Sequence, residues 1–317
     1  MNPLQPFLDR YGVLVVDGGL ATELEARGAD LNDDLWSARM LMDDPALIGQ
    51  VHADYLWAGA DVIISATYQA TVAGFMSRGL SHDEAAALIR LAVDLALEAR
   101  DAYWQAQPSA YRAEVIRPLV AASVGPYAAY LADGSEYTGA YDLDRAGLFE
   151  FHRERWSILA GTEADVLACE TIPNYEEAVA LADLLEKTPD RWAWFSFSCR
   201  DGAHISDGTP VAACAAYLDS CSRVAAIGVN CTAPRYITSL ISEIRSATEK
   251  PIIVYPNSGE QFDVARRQWI GESDPSTYGS LSREWRKVGA ACIGGCCRTT
   301  PDHIRQVRDR FPRAPRR

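Results

Sequence analysis

The sequence predicts an α/β protein built as a (β/α)8 barrel, a single domain over residues 1–317. Three observations carry this. Eight short β-branched apolar runs recur along the chain, amphipathic stretches separate them, and no G-x-G-x-x-G follows any run, which disfavours the rival doubly wound open sheet. Near-continuous apolar strands alternating with helices pair in parallel with both faces covered, and eight is the number that closes such a barrel.

The runs span 13–16, 61–64, 119–124, 165–169, 192–197, 224–229, 252–255 and 290–293. Helical spacing of apolar residues predicts helices over 83–105, 174–187, 210–221, 234–248 and 301–311. The last three open with Pro at or near the first turn, where its missing N–H costs nothing. The strand ends carry Asp17, Thr67, Gly125, Glu170, Ser198, Cys231, Asn257 and the pair Cys296-Cys297. In a barrel of this kind the C-terminal strand ends are where chemistry sits.

Hydrophobic residues make up 48% and charged residues 23%, which excludes disordered and fibrous classes. The net charge is -13, and the only basic cluster is Arg313, Arg316 and Arg317, so no nucleic-acid partner is expected. No run approaches the roughly 20 apolar residues of a membrane span. The start, MNPLQPFLDRYG, lacks the charged and apolar regions of a signal peptide. A cytoplasmic protein with small-molecule partners is the expectation, and its oligomeric state is open.

Eight cysteines are too sparse for a secreted disulfide scaffold. Cys231 closes the sixth run, and Cys296 and Cys297 close the eighth, two places away around a barrel rim. Three thiols there suit zinc with an open fourth position; Gly294 and Gly295 give the backbone freedom to aim adjacent side chains at one ion. The plain alternative is that all three are small buried hydrophobes, the reading given to Cys169, Cys199, Cys214, Cys221 and Cys292. None of the three lysines ends a strand on the active face, which argues against a Schiff-base enzyme. The histidines fall in helices except His204, so a metal here is held by sulfur. A zinc ion on three thiolates is a weak electrophile, but it presents a substrate thiol as thiolate at neutral pH. That points to alkyl transfer onto sulfur.

Asp17 and Glu170 suit a substrate ammonium, and the turn through Gly19 into Leu20 suits its carboxylate. With Thr67 and Asn230 they form the candidate substrate contacts, for an α-amino acid bearing a thiol. The segment 125–141 is too long for a minimal βα loop, and its Tyr127, Tyr130 and Tyr137 offer aromatic faces to a cationic donor. Asp133 and Glu136 in the same segment read as solvated surface.

The blocks DGGLATELEARG, ATYQAT, GPYAAYLADGSEY, CETIPN, FSFSCRDG, GVNC, YPNSGE and GGCCRTTP together resemble the homocysteine S-methyltransferase family. The resemblance runs from residue 17 to 301 and is nearest to enzymes using S-methylmethionine or S-adenosylmethionine as donor. It implies a TIM barrel, zinc (Zn2+) on Cys231, Cys296 and Cys297, and homocysteine held by Asp17 and Glu170. Betaine is the alternative donor. The rivals from other classes are a thiol redox protein using Cys296-Cys297 and a non-catalytic thiol binder.

Overall fold

The structure, a computed structural model, describes residues 1–31, 35–263, 268–270 and 273–313. The described residues form ten strands: β1 Leu14–Val15, β2 Val62–Ile64, β3 Leu119–Val124, β4 Val166–Ile172, β5 Ala193–Phe197, β6 Val224–Asn230, β7 Ile252–Tyr255, β8 Gln261–Asp263, β9 Gln268–Ile270 and β10 Ala290–Ile293. Eight of them make one parallel sheet in the order β1-β10-β7-β6-β5-β4-β3-β2. A parallel bridge from Val16 to Val62 closes it into a barrel, with helices alternating outside. Strands β8 and β9 form a separate antiparallel hairpin after β7.

The period-two alternation of a strand sorts its side chains into two cores. Leu14, Val62, Ala121, Val166, Ala168, Trp194, Ala226, Ile253 and Cys292 fill the barrel interior. Their neighbours Val15, Ile63, Val120, Leu167, Phe195, Ile227, Val254 and Ile293 pack outward against the helices. The helix Gln5–Tyr11 lies under the barrel, with Phe7 joining the interior core and Asn2 Nδ2 donating to Ala225 O at 2.9 Å. Among the described residues this helix covers the N-terminal side of the interior, and the opposite mouth carries the polar strand ends.

The eight predicted strands match the eight barrel strands, with shifts of up to three residues at their ends. Strand β4 continues past Cys169 to Ile172, through a register shift against β5 between Cys169 and Ile172. The predicted helices appear as His82–Ala106, Tyr175–Glu186, Val211–Asp219, Pro234–Arg245 and Pro301–Arg310, so Cys221 falls just beyond its helix. Helices Pro45–Ala58, Arg145–Ala160 and Pro275–Lys287, and the β8–β9 hairpin, complete the barrel without having been predicted. Among the described residues no helix is long and apolar enough to cross a membrane.

Helix Pro45–Ala58 buries His52 completely, and among the described residues neither ring nitrogen has a hydrogen-bond partner. Burial pulls its pKa down to about 4. A histidine depressed in the folded state keeps stability above the unfolded value of about 6.5, and that stability is lost as pH falls from there towards the folded value. Urea unfolding of the native chain and of His52→Met is expected to diverge as the buffer is acidified. Between about pH 7 and about pH 4.5 the variant should gain roughly 2–3 kcal/mol on the native protein. Parallel acid losses in the two proteins would rule His52 out as the cause.

Candidate functional site

The mouth is built from the ends of β4, β6 and β10 and the turn after β1. Strand β6 ends at Asn230, and Cys231 follows with φ 48, left-handed for a residue with a side chain. Such a conformation costs of order 1–3 kcal/mol and persists where surrounding structure enforces it. Here Cys231 N–H donates to Tyr255 O at 3.3 Å. Cys296 N–H donates to Pro256 O at 2.8 Å, and Ser258 N–H to Cys297 O at 3.1 Å. The three sulfurs converge: Cys231 Sγ lies 3.6 Å from Cys297 Sγ, Cys296 Sγ lies 4.0 Å from Cys297 Sγ, and all three lie within 4.8 Å of one another. Hydrogen bonds from Cys231 and Cys296 hold the Cys297 thiol well below its ordinary pKa, while the same sharing pushes Cys231 up.

The double glycine before this pair works by close approach rather than by a left-handed backbone, for neither glycine has positive φ. A Cβ on Gly294 would stand 2.5 Å from Val16 Cβ, and one on Gly295 would stand 2.3 Å from Thr299 Oγ1. Cys169, Cys214, Cys221 and Cys292 are buried, and burial pushes their thiols up, which fits small hydrophobes. Cys199 is half-buried with its thiol likewise raised by burial.

Glu170 follows Val166 and Ala168 on the inward side of β4. It is 7% exposed; Ser123 Oγ donates to its Oε1 and the Tyr255 hydroxyl donates to its Oε2 at 3.1 Å. Tyr255 is itself fixed from below, since Trp194 Nε1 donates to its hydroxyl at 3.0 Å. Burial pushes Glu170 up to about 7. Asp17 is 4% exposed and its Oδ2 accepts from Ile64 N–H at 2.8 Å; burial raises it well above the usual carboxylate range.

The other candidate contacts are spoken for within the protein. Thr67 Oγ1 donates to Ser123 O at 2.7 Å. Asn230 Oδ1 accepts from Thr171 N–H and its Nδ2 donates to Thr171 Oγ1, both at 2.7 Å, holding Thr171 at φ 59 in the irregular end of β4. Gly19 N–H donates to Thr299 O at 3.2 Å and the first helical bond is Glu23 N–H to Gly19 O, so at the start of helix Leu20–Ala26 the Leu20, Ala21 and Thr22 N–H groups are those left without an intrahelical partner.

Segment 125–141 folds as helix Tyr127–Leu131 and a 3-10 turn Ser135–Tyr137. The Tyr127 ring stacks on Tyr130 at 6.1 Å and meets Phe151 edge-on at 4.8 Å, so both tyrosines join an aromatic cluster with helix Arg145–Ala160. The Tyr137 side chain lies outside the described part of the structure.

Three features at the mouth escaped the sequence. Tyr68 lies close enough to Cys231, Thr171, Glu170 and Glu136 to be influenced by each. Glu136, expected on the surface, has a buried Oε2 with no hydrogen-bond partner among the described residues. A buried polar network also lies behind the segment. Glu177, fully buried, accepts from Tyr127 N–H at 2.6 Å, from the Tyr141 hydroxyl, and from His152 Nε2 at 2.7 Å. His152 Nδ1 lies 2.9 Å from Arg155 Nη2, which donates to Gly125 O. One carboxylate thus fastens both ends of the segment. Removing one member of a buried charged network costs roughly 3–5 kcal/mol. Glu177→Ala is expected to lower stability by that order in urea titration and to weaken the protection of segment amides against hydrogen exchange. A loss under about 1 kcal/mol, the scale of an exposed pair, would refute the anchoring role.

A closed parallel barrel whose mouth gathers three thiols and two buried carboxylates defines a barrel enzyme with a thiol-rich candidate metal centre. A family model described as homocysteine S-methyltransferase matches residues 14–311, and the chain belongs to that family. It is 53% identical to homocysteine S-methyltransferase YbgG of Bacillus subtilis over 97% of both chains. It is also 53% identical to homocysteine S-methyltransferase 4 of Zea mays, covering 93% of this chain and 88% of the relative. Among solved structures, the metallated form of the homocysteine methyltransferase MmuM from Escherichia coli superposes with a TM-score of 0.87 at 46% identity, covering 98% of this chain and all of that one.

Proposed function

We propose that this enzyme transfers a methyl group from a sulfonium donor, S-methylmethionine or S-adenosylmethionine, to the sulfur of homocysteine, with Zn2+ held by Cys231, Cys296 and Cys297. The sulfur geometry carries the metal reading. Zinc–thiolate bonds of about 2.3 Å in a tetrahedron put neighbouring sulfurs about 3.8 Å apart, and the separations of Cys297 Sγ from Cys231 Sγ and Cys296 Sγ, 3.6 and 4.0 Å, bracket that edge. When bound, zinc supplies an open fourth position that takes the acceptor sulfur as its thiolate at neutral pH.

The chain's own residues then bind and orient. Asp17 and Glu170 offer carboxylates to the homocysteine ammonium; burial keeps both prone to protonation, and an adjacent ammonium returns them to the charged form. The Gly19–Leu20 turn faces the substrate carboxylate. Thr67 and Asn230 act as positioning residues, holding Ser123 and Thr171 in place. In the overall change the acceptor thiolate's electron pair forms a bond to the methyl carbon, the donor's S–C bond breaks, and the pair of that bond stays on the donor sulfur, which departs as a neutral thioether. The enzyme's share is alignment of two bound molecules.

Methionine formation assayed with each donor, using zinc-loaded protein, tests the reading directly; no methionine from any sulfonium donor would end it. Serine at any one of positions 231, 296 or 297 is expected to remove zinc and turnover together while the melting curve persists, because the barrel core does not rest on rim sulfurs. Cys214→Ser should keep full zinc, and zinc retained by a Cys231, Cys296, Cys297 triple variant would move the metal elsewhere. Glu170→Gln is expected to weaken homocysteine by about 1.5–3 kcal/mol, the worth of a charged hydrogen bond, with the donor KM unmoved. The reverse pattern would reassign Glu170 to the donor.

A further inference from the structure

Among the described residues at the mouth, Glu136 is the carboxylate with a buried oxygen that no hydrogen bond reaches. It sits in the 3-10 turn Ser135–Tyr137. Its own carbonyl accepts from Ser198 Oγ at 3.2 Å, and the turn around it is held by Gly139 N–H donating to Ser135 O at 2.7 Å and by Asn174 Nδ2 donating to Gly139 O at 3.0 Å. The side-chain charge is felt at Tyr68 and at Cys297. Among the described residues Oε2 is buried and has no hydrogen-bond partner. Leaving a carboxylate oxygen in this condition is unfavourable, so the group calls for a partner from outside the chain.

The charge of the missing partner follows from the chemistry. Oε2 takes a hydrogen-bond donor, and beside thiols and a second acid, Asp133, a cation is the donor the local field favours. Asp17 and Glu170 lie within the barrel, against Ile64 and Tyr255, on the acceptor's side. Glu136 lies outside the barrel strands, in the segment after β3, so with the acceptor ammonium assigned to Asp17 and Glu170 the cation left for it is the donor's. A sulfonium donor of the amino-acid type carries two cations. The sulfonium loses its charge as the methyl group leaves, so a carboxylate against it would hold the ground state more tightly than the transition state. The α-ammonium keeps its charge throughout.

Resting on the proposed methyl transfer, we propose that Glu136 binds the α-ammonium group of an amino-acid sulfonium donor and so selects that donor class over sulfonium compounds without an amino group.

The test compares Glu136→Gln with the native holoenzyme, using S-methylmethionine and its deaminated counterpart 4-(dimethylsulfonio)butanoate. The substitution is expected to raise the KM for S-methylmethionine by roughly ten- to a hundredfold, the loss of one charged hydrogen bond. It should leave the deaminated donor, the homocysteine KM and the metal content as they were. An equal rise for both donors would place the carboxylate on the sulfonium, and a raised homocysteine KM would place it on the acceptor; either overturns the assignment. Melting temperature supplies a readout that needs no turnover. Without homocysteine, S-methylmethionine should stabilise the native protein and fail to stabilise the variant, while the unliganded variant melts no lower than native because only an unpaired carboxylate has gone. Equal stabilisation of both proteins overturns the contact. Absence of methyl transfer alongside a native-only thermal shift would count against the reaction and not against Glu136.

Discussion

Closure of the barrel between its first two strands is the constraint on which the rest depends. Strand β1 has two residues and β2 three, and the ladder between them is a single bridge, Val16 to Val62. Two buried aspartates do what a longer ladder would. At the mouth, Asp17 Oδ2 takes the Ile64 N–H at 2.8 Å. At the base, Asp61 Oδ2 takes the Val15 N–H at 2.8 Å, and its charge is answered by Arg308 and by Arg313, whose Nε donates to Oδ1 at 3.0 Å. The upper stitch is also a proposed substrate carboxylate, so the seam that shuts the sheet presents an acid to the site.

Much of this was legible in the sequence because it follows from periodicity. A period of two that places Val166 and Ala168 inside also places Glu170 inside, and the same count on β6 puts Asn230 there. Polar residues closing apolar runs could therefore be read as rim residues. The thiol trio was legible from topology, since β6 and β10 are separated in the sheet by β7 alone.

What was not legible depends on non-local contact. The role of Gly294 and Gly295 lies in how near Val16 and Thr299 come, which no local pattern records. Glu136 sits among Asp, Gly, Ser and Thr and carries the composition of a solvated loop, yet Ser198 on a distant strand end draws its backbone inward. Composition alone groups Tyr127 and Tyr130 as aromatic faces for a ligand, but Phe151, from a helix the pattern does not reveal, gives their rings a protein partner. Helix Pro45–Ala58 did carry a start signal, with Pro45 in its first turn and Asp44 accepting from Leu47 N–H. Its apolar residues are spread around the helix rather than gathered in one stripe, and that hid it.

The base of the barrel has a practical consequence. Asn2 is tied to Ala225, and Arg313 to Asp61, Gly59 and Ala60, so the first and last described stretches of chain meet the sheet on the face opposite the thiols. A surface tether, an affinity handle or a fused reporter attached at the N-terminal end would project away from the opening through which small molecules come and go. Immobilised in that way, the barrel would present its mouth outward to the bulk solution.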